Sequence, residues 1–313
     1  MALPALGSQQ ASFQATPVFV LGLQRSGTTW LANLLCQHGS CFGVQSRDHG
    51  GIHESVFFSH FSRSYGDLRV EPNFRRFVRD FTQSDYFLLT GLSPSWLEGL
   101  GHRTYGAIFQ DLMEHAARQR GATHWLEKSP HHTLYCHELA KLFPNAKFVC
   151  LLREPTALIP SLISAPWRQR ERYPARALSI LRSCMTYTLY RKHLLLFAQA
   201  HANSILLHYE DLAAKPECEI ERLCQFLGLP YDPQMVDVPF LRNSSFSSKR
   251  ERCDSASKLD CLCMQLGLSC VQLVPERFLY WLNKLKQRLR PEPWPEWVWR
   301  RSPLASVPPA VRT

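Results

Sequence analysis

GLQRSGTT, Gly22 to Thr29, decides the fold. It grows out of an apolar, β-branched and aromatic run at residues 17–23 and leads into an amphipathic stretch over residues 28–38, so the local order is strand, loop, helix. A loop that opens a helix aims its backbone N–H groups and the positive helix end at one point, which makes an anion site. Gly22 and Gly27 have the spacing of the nucleoside-triphosphate loop GxxxxGK[ST] and Thr29 supplies its hydroxyl, but Thr28 stands where the lysine belongs. A kinase or ATPase without that lysine lacks the cation spanning the β- and γ-phosphates, whereas Arg25 sets a guanidinium earlier in the loop. The expected ligand is a phosphate bound in another way, by Arg25, Ser26, Gly27, Thr28, Thr29 and the adjoining Trp30. A tight strand-to-helix turn without a ligand is the plain alternative.

Working outward, strand-then-helix patterns return at residues 123–127 before 134–142, at 146–153 before Pro155, and at 204–208 before 215–227. Short apolar strands alternating with helices predict an α/β fold, a central parallel sheet flanked by helices on both faces. Helical patterns at 69–81 and 105–120 are expected to form a helical cap over the carboxyl edge of the sheet, with substrate beneath. The predicted organisation is a flexible leader (1–16), one domain (17–290) and a Pro- and Trp-rich tail (291–313). Residues 243–258 read as a polar, basic loop. A helix resumes near Pro275 with Phe278, Trp281, Leu282, Leu285 and Leu289 on one face and Arg277, Lys284, Lys286 and Arg288 elsewhere. That helix is expected to dock on the core, the alternative being a helix lying on a membrane surface.

The chain has 313 residues, 45% of them apolar, and 36 Lys and Arg against 26 Asp and Glu give a formal charge of +10. This balance disfavours wholesale disorder. The longest apolar runs fall far short of the roughly 20 residues that span a bilayer, so no transmembrane segment is expected. The first residues carry neither a basic nor a continuous apolar segment, so they are not expected to direct export. Eleven cysteines without a CxxC pair fit reduced thiols and a cytoplasmic location; Cys253, Cys261, Cys263 and Cys270 fall in one stretch, where a staple or a zinc site is the less favoured reading.

With these residues set out, GLQRSGTTWL resembles the 5′-phosphosulfate loop of the sulfotransferases that use 3′-phosphoadenosine-5′-phosphosulfate (PAPS). FVCLLREPTALIPS, residues 148–161, is similar to the family segment in which an arginine and a serine eight positions on hold the 3′-phosphate, a role that falls on Arg153 and Ser161. LLHYEDLAAKPECEIERLCQFLGLP, residues 206–230, resembles the strand end whose tyrosine contacts adenine, here Tyr209; a tyrosine packed at a strand end is equally compatible. The resemblance implies the P-loop-like sulfotransferase fold, PAPS as co-substrate, 3′-phosphoadenosine-5′-phosphate (PAP) as product and no metal. A basic loop that closes over the nucleotide falls on Lys249 and Arg250, with Arg252 nearby.

Sulfuryl transfer requires a base for the acceptor's proton, in-line positioning and neutralisation of the departing oxygen. HESVFF, residues 53–58, resembles the Glu-x-x-Phe-Phe segment of the glycan-sulfating branch and nominates Glu54 as general base, with His53 beside it. An acid at a helix start also stabilises a helix without any chemistry. WLEKSPHH, residues 125–132, resembles the Lys-Ser-Pro segment whose lysine reaches the leaving group, so Lys128 and Arg25 share stabilisation of the transition state. Glu127 either pairs with Lys128 or is a solvated strand-end acid, and His131 is the further candidate base. Gln24, Glu154 and Pro160 depart from the family pattern; a proline inside the helix is expected to disturb Ser161.

The acceptor is expected to carry a hydroxyl or amine and to be carbohydrate-like, with an anionic glycan suggested by Arg75, Arg76, Arg79, Arg168, Arg170 and Arg172. Solvated helix faces explain the same arginines. A small alcohol, phenol, lipid or peptide tyrosine stays open, and oligomeric state is not legible. Two other classes compete: a P-loop kinase or NTPase, which lacks its lysine, and a non-catalytic polyanion- or nucleic-acid-binding protein, which explains the charge but not the ordered loops; nucleic acid is not expected.

Overall fold

The computed structural model describes residues 14–163, 173–237 and 257–300. Lys249, Arg250, Arg252 and Cys253, and likewise Arg168, Arg170 and Arg172, lie outside these residues.

Strands β1 (Thr16–Leu21), β2 (Cys41–Gly43), β5 (His124–Glu127), β6 (Lys147–Leu152) and β7 (Ser204–His208) form one parallel sheet in the order β2-β5-β1-β6-β7. A two-stranded antiparallel hairpin, β3 (Gln45–Ser46) and β4 (Gly51–Ile52), stands apart from it. Alternation along each strand sorts side chains between two layers. Phe19, Leu21, Trp125, Phe148, Cys150 and Leu152 face an aromatic layer; Val18, Val20, Leu126, Val149, Leu151 and Leu207 face an aliphatic one. The aliphatic layer is covered by helices Thr28–Leu35 and Pro216–Leu227. The aromatic layer contains Phe57, Phe58, Phe61, Phe77, Phe81 and Phe109, with contacts such as Phe19 to Trp125 at 5.5 Å edge-on, an arrangement that suits the ring quadrupoles.

The topology places the site. β1 is central, and its carboxyl end runs into Gly22; β5 ends at Glu127, β6 at Leu152 and β7 at His208. Because these strands are parallel, Lys128, Arg153 and Tyr209 leave the sheet at the same edge as the loop.

Of the two helices expected over that edge, Glu71–Phe81 joins the aromatic layer beside Phe57 and Phe61, and Tyr105–Gln119 lies on the face of the sheet, with Phe109 against Trp125 at 5.8 Å. Two long helices escaped the sequence reading. Ala175–Ala200 buries Ile180, Cys184 and Tyr187 against helices Pro155–Ile163 and Lys258–Gln272, then Leu194 and Phe197 in the aromatic layer, so its buried face drifts and no single stripe marks it. Lys258–Gln272 begins where a loop was expected to end, with a reciprocal cap between Ser257 and Asp260. Cys261, Cys263 and Cys270 lie on this helix as free thiols.

The C-terminal part corrects one expectation. Helix Glu276–Leu289 docks through Leu279, with Val271, Leu134 and Leu189, and through a 2.9 Å contact from His193 Nδ1 to Glu276. The face bearing Phe278 and Trp281, expected to pack inward, is exposed, because the docked residues Glu276, Leu279 and Tyr280 lie on the opposite side of the helix. Residues 291–300, the first part of the stretch read as a Pro- and Trp-rich tail, are packed: Val298 and Trp299 are buried in the aromatic layer, with Trp294 against Phe61 at 4.8 Å. No helix among the described residues is long and apolar enough to cross a membrane.

Candidate active site

The phosphate loop is fixed from below and behind. Thr133 accepts from the Gly22 N–H and donates to the Gly22 carbonyl through one hydroxyl, both at 2.9 Å. Gly27 has φ +99° and caps helix Thr28–Leu35; a Cβ there would come within 2.5 Å of the Tyr209 ring, so this position excludes any other residue twice over. Ser26 and Thr28 are buried at the turn. Arg25 itself has φ +72°, a left-handed backbone that costs a non-glycine residue free energy and directs its side chain toward the end of β6.

The predicted nucleotide residues converge there. Arg25 Nε donates to Ser161 Oγ at 3.1 Å, Arg153 Nη1 donates to the Arg25 carbonyl at 2.8 Å, and the Arg153 guanidinium lies 4.2 Å from the Tyr209 ring centre. Trp30 meets Tyr209 edge-on at 5.7 Å. Pro160 does not displace Ser161: helix Pro155–Ile163 runs through it and presents the buried serine to Arg25. Burial, and then the like charge of Arg153, lower the pKa of Arg25. Two guanidiniums held this close suit a multiply charged anion between them.

The second half of the site is the pair expected to carry chemistry. Lys128 Nζ, fully buried, donates to Glu54 Oε1 at 2.7 Å, while the Glu54 side chain keeps 17% exposure. Burial pushes the Glu54 carboxyl up, but the Lys128 ammonium, His131 and the hydrogen bond outweigh it and leave it below the ordinary carboxylate value. Two residues on, Val56 has φ +45°, a strained conformation for a β-branched residue, held by a bond from its N–H to Ser129 Oγ at 3.2 Å.

Glu127 is neither a partner in contact with Lys128 nor solvated. Its buried carboxylate accepts from Ser55 at 2.8 Å, from Ser129 and from Tyr86 at 3.1 Å, with His132 Nδ1 at 3.3 Å. Burial raises its pKa to about 7 against the lowering effect of those hydroxyls. Ser55 and Ser129 are the neighbours of Glu54 and Lys128, so this buried acid ties together the two segments that present the Lys128–Glu54 pair.

Of the alternative bases, His131 is engaged at both ring nitrogens and His53 at Nδ1 alone. His53 Nδ1 lies 2.9 Å from the Glu54 carbonyl, and burial, with His49 adding, pushes its pKa down to about 3. His131 has Gln24 Nε2 at 3.0 Å from one ring nitrogen and Glu292 at 3.2 Å from the other. Burial lowers the His131 pKa, but the hydrogen bond and charge of Glu292 overcome it and raise it.

Several contributors were not foreseen. Asn33, on the loop's helix, donates to the Gly50 carbonyl at 2.9 Å and accepts from Ile52 N–H at 3.0 Å, fixing the turn that leads to Glu54. Glu292 and Trp297 come from the far end of the chain; Trp297 meets His49 and His53 edge-on at 4.9 and 5.3 Å. Only Thr133 had a signal, its place directly after the marked segment WLEKSPHH, residues 125–132.

The chain is 24% identical over 223 residues to a putative protein-tyrosine sulfotransferase of Caenorhabditis briggsae, covering 70% of this chain and 68% of the relative. It is 27% identical over 260 residues to nodulation protein NoeE of Sinorhizobium fredii, covering 74% and 55%. It thus spans about half to two thirds of the length of the curated relatives it matches. Among solved structures, the sulfotransferase domain of the Synechococcus PCC 7002 olefin synthase aligns at TM-score 0.46 and 20% identity over 84% of this chain and 97% of that one. The model of the sulfotransferase family matches residues 17–233, which holds every described nucleotide-loop and catalytic-pair residue above, and the chain belongs to that family.

Proposed function

We propose that this chain transfers the sulfuryl group of PAPS to a hydroxyl or amine of an acceptor, releasing PAP. The observation that carries the reading is the meeting, at one sheet edge, of a lysine-free phosphate loop, the Arg25–Arg153–Ser161 cluster and the Lys128–Glu54 pair. Loop N–H groups and Arg25 hold the 5′-phosphosulfate; Arg153 and Ser161 hold the 3′-phosphate; Tyr209 packs against the base. Glu54 takes the acceptor's proton as the new S–O bond forms, and Lys128 neutralises the bridging oxygen as the bond from sulfur to the 5′-phosphate breaks.

In the free chain Lys128 holds Glu54 as a weak base. Once Lys128 turns toward the phosphosulfate, Glu54 loses the charge that depresses it and becomes the stronger base. Nucleotide binding thereby switches on proton abstraction. No step needs a metal, because no β,γ-phosphate pair has to be bridged.

A carbohydrate-like acceptor rests on the resemblance around Glu54; a peptide tyrosine is favoured by the names of the nematode relatives. Both supply a hydroxyl to the same base. The test of the core reading is a thermal-shift titration with PAP, PAPS and ATP with and without Mg²⁺; a ligand at about 100 times its Kd adds roughly 2.7 kcal/mol. Stabilisation by the 3′-phosphorylated nucleotides alone supports it, and stabilisation by Mg-ATP alone defeats it. Radiolabelled transfer to glycan and to tyrosine-peptide pools then separates the acceptors.

A further inference from the structure

Helix Glu276–Leu289 turns an apolar stripe away from the protein. Its docked column is Glu276, Leu279 and Tyr280. On the opposite side of the helix, Phe278, Trp281, Leu285 and Leu289 are 51%, 55%, 38% and 77% exposed, and the Phe278 and Trp281 rings stack at 5.8 Å. Leu282 completes the stripe at the same 3.6-residue spacing. Single exposed apolar residues are ordinary, but four on one helix face, with half-buried Leu282 among them, are not.

The flanks show what the stripe faces. By helical periodicity Arg277, Lys284 and Arg288 line one border and Lys286 and Arg290 the other, and all five are exposed. A protein partner covering the stripe would have to match two cationic rails. The anionic headgroup plane of a bilayer matches both at once, while Trp and Phe suit the boundary between headgroups and acyl chains.

We propose that this helix lies in the surface of an anionic bilayer, its apolar stripe immersed and its five cations at the level of the lipid phosphates. The helix reads as surface-lying rather than spanning, being 14 residues long. The proposal is independent of the sulfotransfer reading, since none of these residues belongs to the site.

The experiment is co-sedimentation of the full chain with vesicles of phosphatidylcholine alone and of phosphatidylcholine with phosphatidylserine, at low and high salt. Binding is expected to the phosphatidylserine vesicles and to weaken with salt. The double variant Phe278→Ser/Trp281→Ser is expected to weaken it about tenfold or more, since each immersed aromatic contributes more than the 1.4 kcal/mol that a factor of ten represents. Both residues are exposed, so thermal stability and PAP binding should be unchanged, and that control separates a surface effect from misfolding. Lys284→Glu/Arg288→Glu should remove the preference for phosphatidylserine. No binding to either vesicle, binding that the aromatic double variant leaves intact, or a concentration-dependent dimer that the same variant dissolves while vesicles stay unbound would each overturn the proposal.

Discussion

Lys128 Nζ donates to Glu54 Oε1 at 2.7 Å, joining the residue just past strand β5 to a segment 74 positions earlier in the chain. Glu54→Gln is expected to cut turnover about 10²–10⁴-fold, the usual contribution of a general base, with PAP affinity retained. Lys128→Met is expected to cost about 10²–10³ in kcat. It should also move the acid limb of the kcat/KM profile to higher pH, because the group depressing the Glu54 pKa is gone. Steady-state kinetics across pH tests both, and an unmoved limb in Lys128→Met would remove Glu54 as the titrating base.

Arg153 bonds the Arg25 carbonyl and covers the Tyr209 ring, and under the proposed function it also holds the 3′-phosphate. Arg153→Ala should weaken PAP by roughly 2–3 kcal/mol, the scale of charge-assisted hydrogen bonds, and weaken adenosine-5′-phosphosulfate, which has no 3′-phosphate, much less. Isothermal calorimetry with the two nucleotides reads the difference directly. Equal losses would assign Arg153 to loop architecture alone.

The His131–Glu292 contact has a defined pH sign. With its folded pKa raised above the ordinary 6.5, His131 contributes stability that is fully present below pH 6.5 and is lost as pH rises through the folded value. Glu292→Gln should therefore lower Tm more at pH 6 than at pH 8.5. Melting curves of the two proteins at both pH values check it; a loss independent of pH would mean that Glu292 acts by packing.

Glu127 has the same sign, over a window that starts at lower pH. Its folded pKa of about 7 lies above the ordinary 4.5, so in that window the folded chain holds a proton that the unfolded chain has released, and stability from this group falls as pH rises. Relative to the native chain, Glu127→Gln should gain on the order of 1–3 kcal/mol as pH goes from about 4.5 to 7, at 1.36 kcal/mol per unit. Chemical denaturation across that range measures the difference curve. Glu127→Ala, which strands the hydroxyls of Ser55, Ser129 and Tyr86, should destabilise by about 2–4 kcal/mol throughout.

What the sequence made legible was local. The loop from Gly22 to Thr29, the strand ends before Lys128, Arg153 and Tyr209, and the eight-residue step from Arg153 to Ser161 are all written in adjacent residues, and the parallel sheet then brings them together without further information. Facts that depend on three-dimensional closure stayed hidden. Glu127 next to a lysine reads as its partner, yet alternation along β5 sends one side chain into the core and the other into the site. The stripe on helix Glu276–Leu289 was visible, but periodicity names a face and not its direction, and here Leu279 rather than Trp281 points inward. Positive φ at Arg25 and Val56 left no trace in residue type, since neither is a glycine.

Glu292 and Trp297 reach the histidines beside the proposed base from a segment that lies beyond residues 17–233, the part matched to the family. Under the proposed function, the surroundings of the acceptor's base are therefore built in part from a stretch outside the one that holds the donor nucleotide. Substitutions near residue 297 can reshape what approaches Glu54 while the loop that holds the nucleotide is left alone, so a change of acceptor does not have to begin with a weaker grip on the donor.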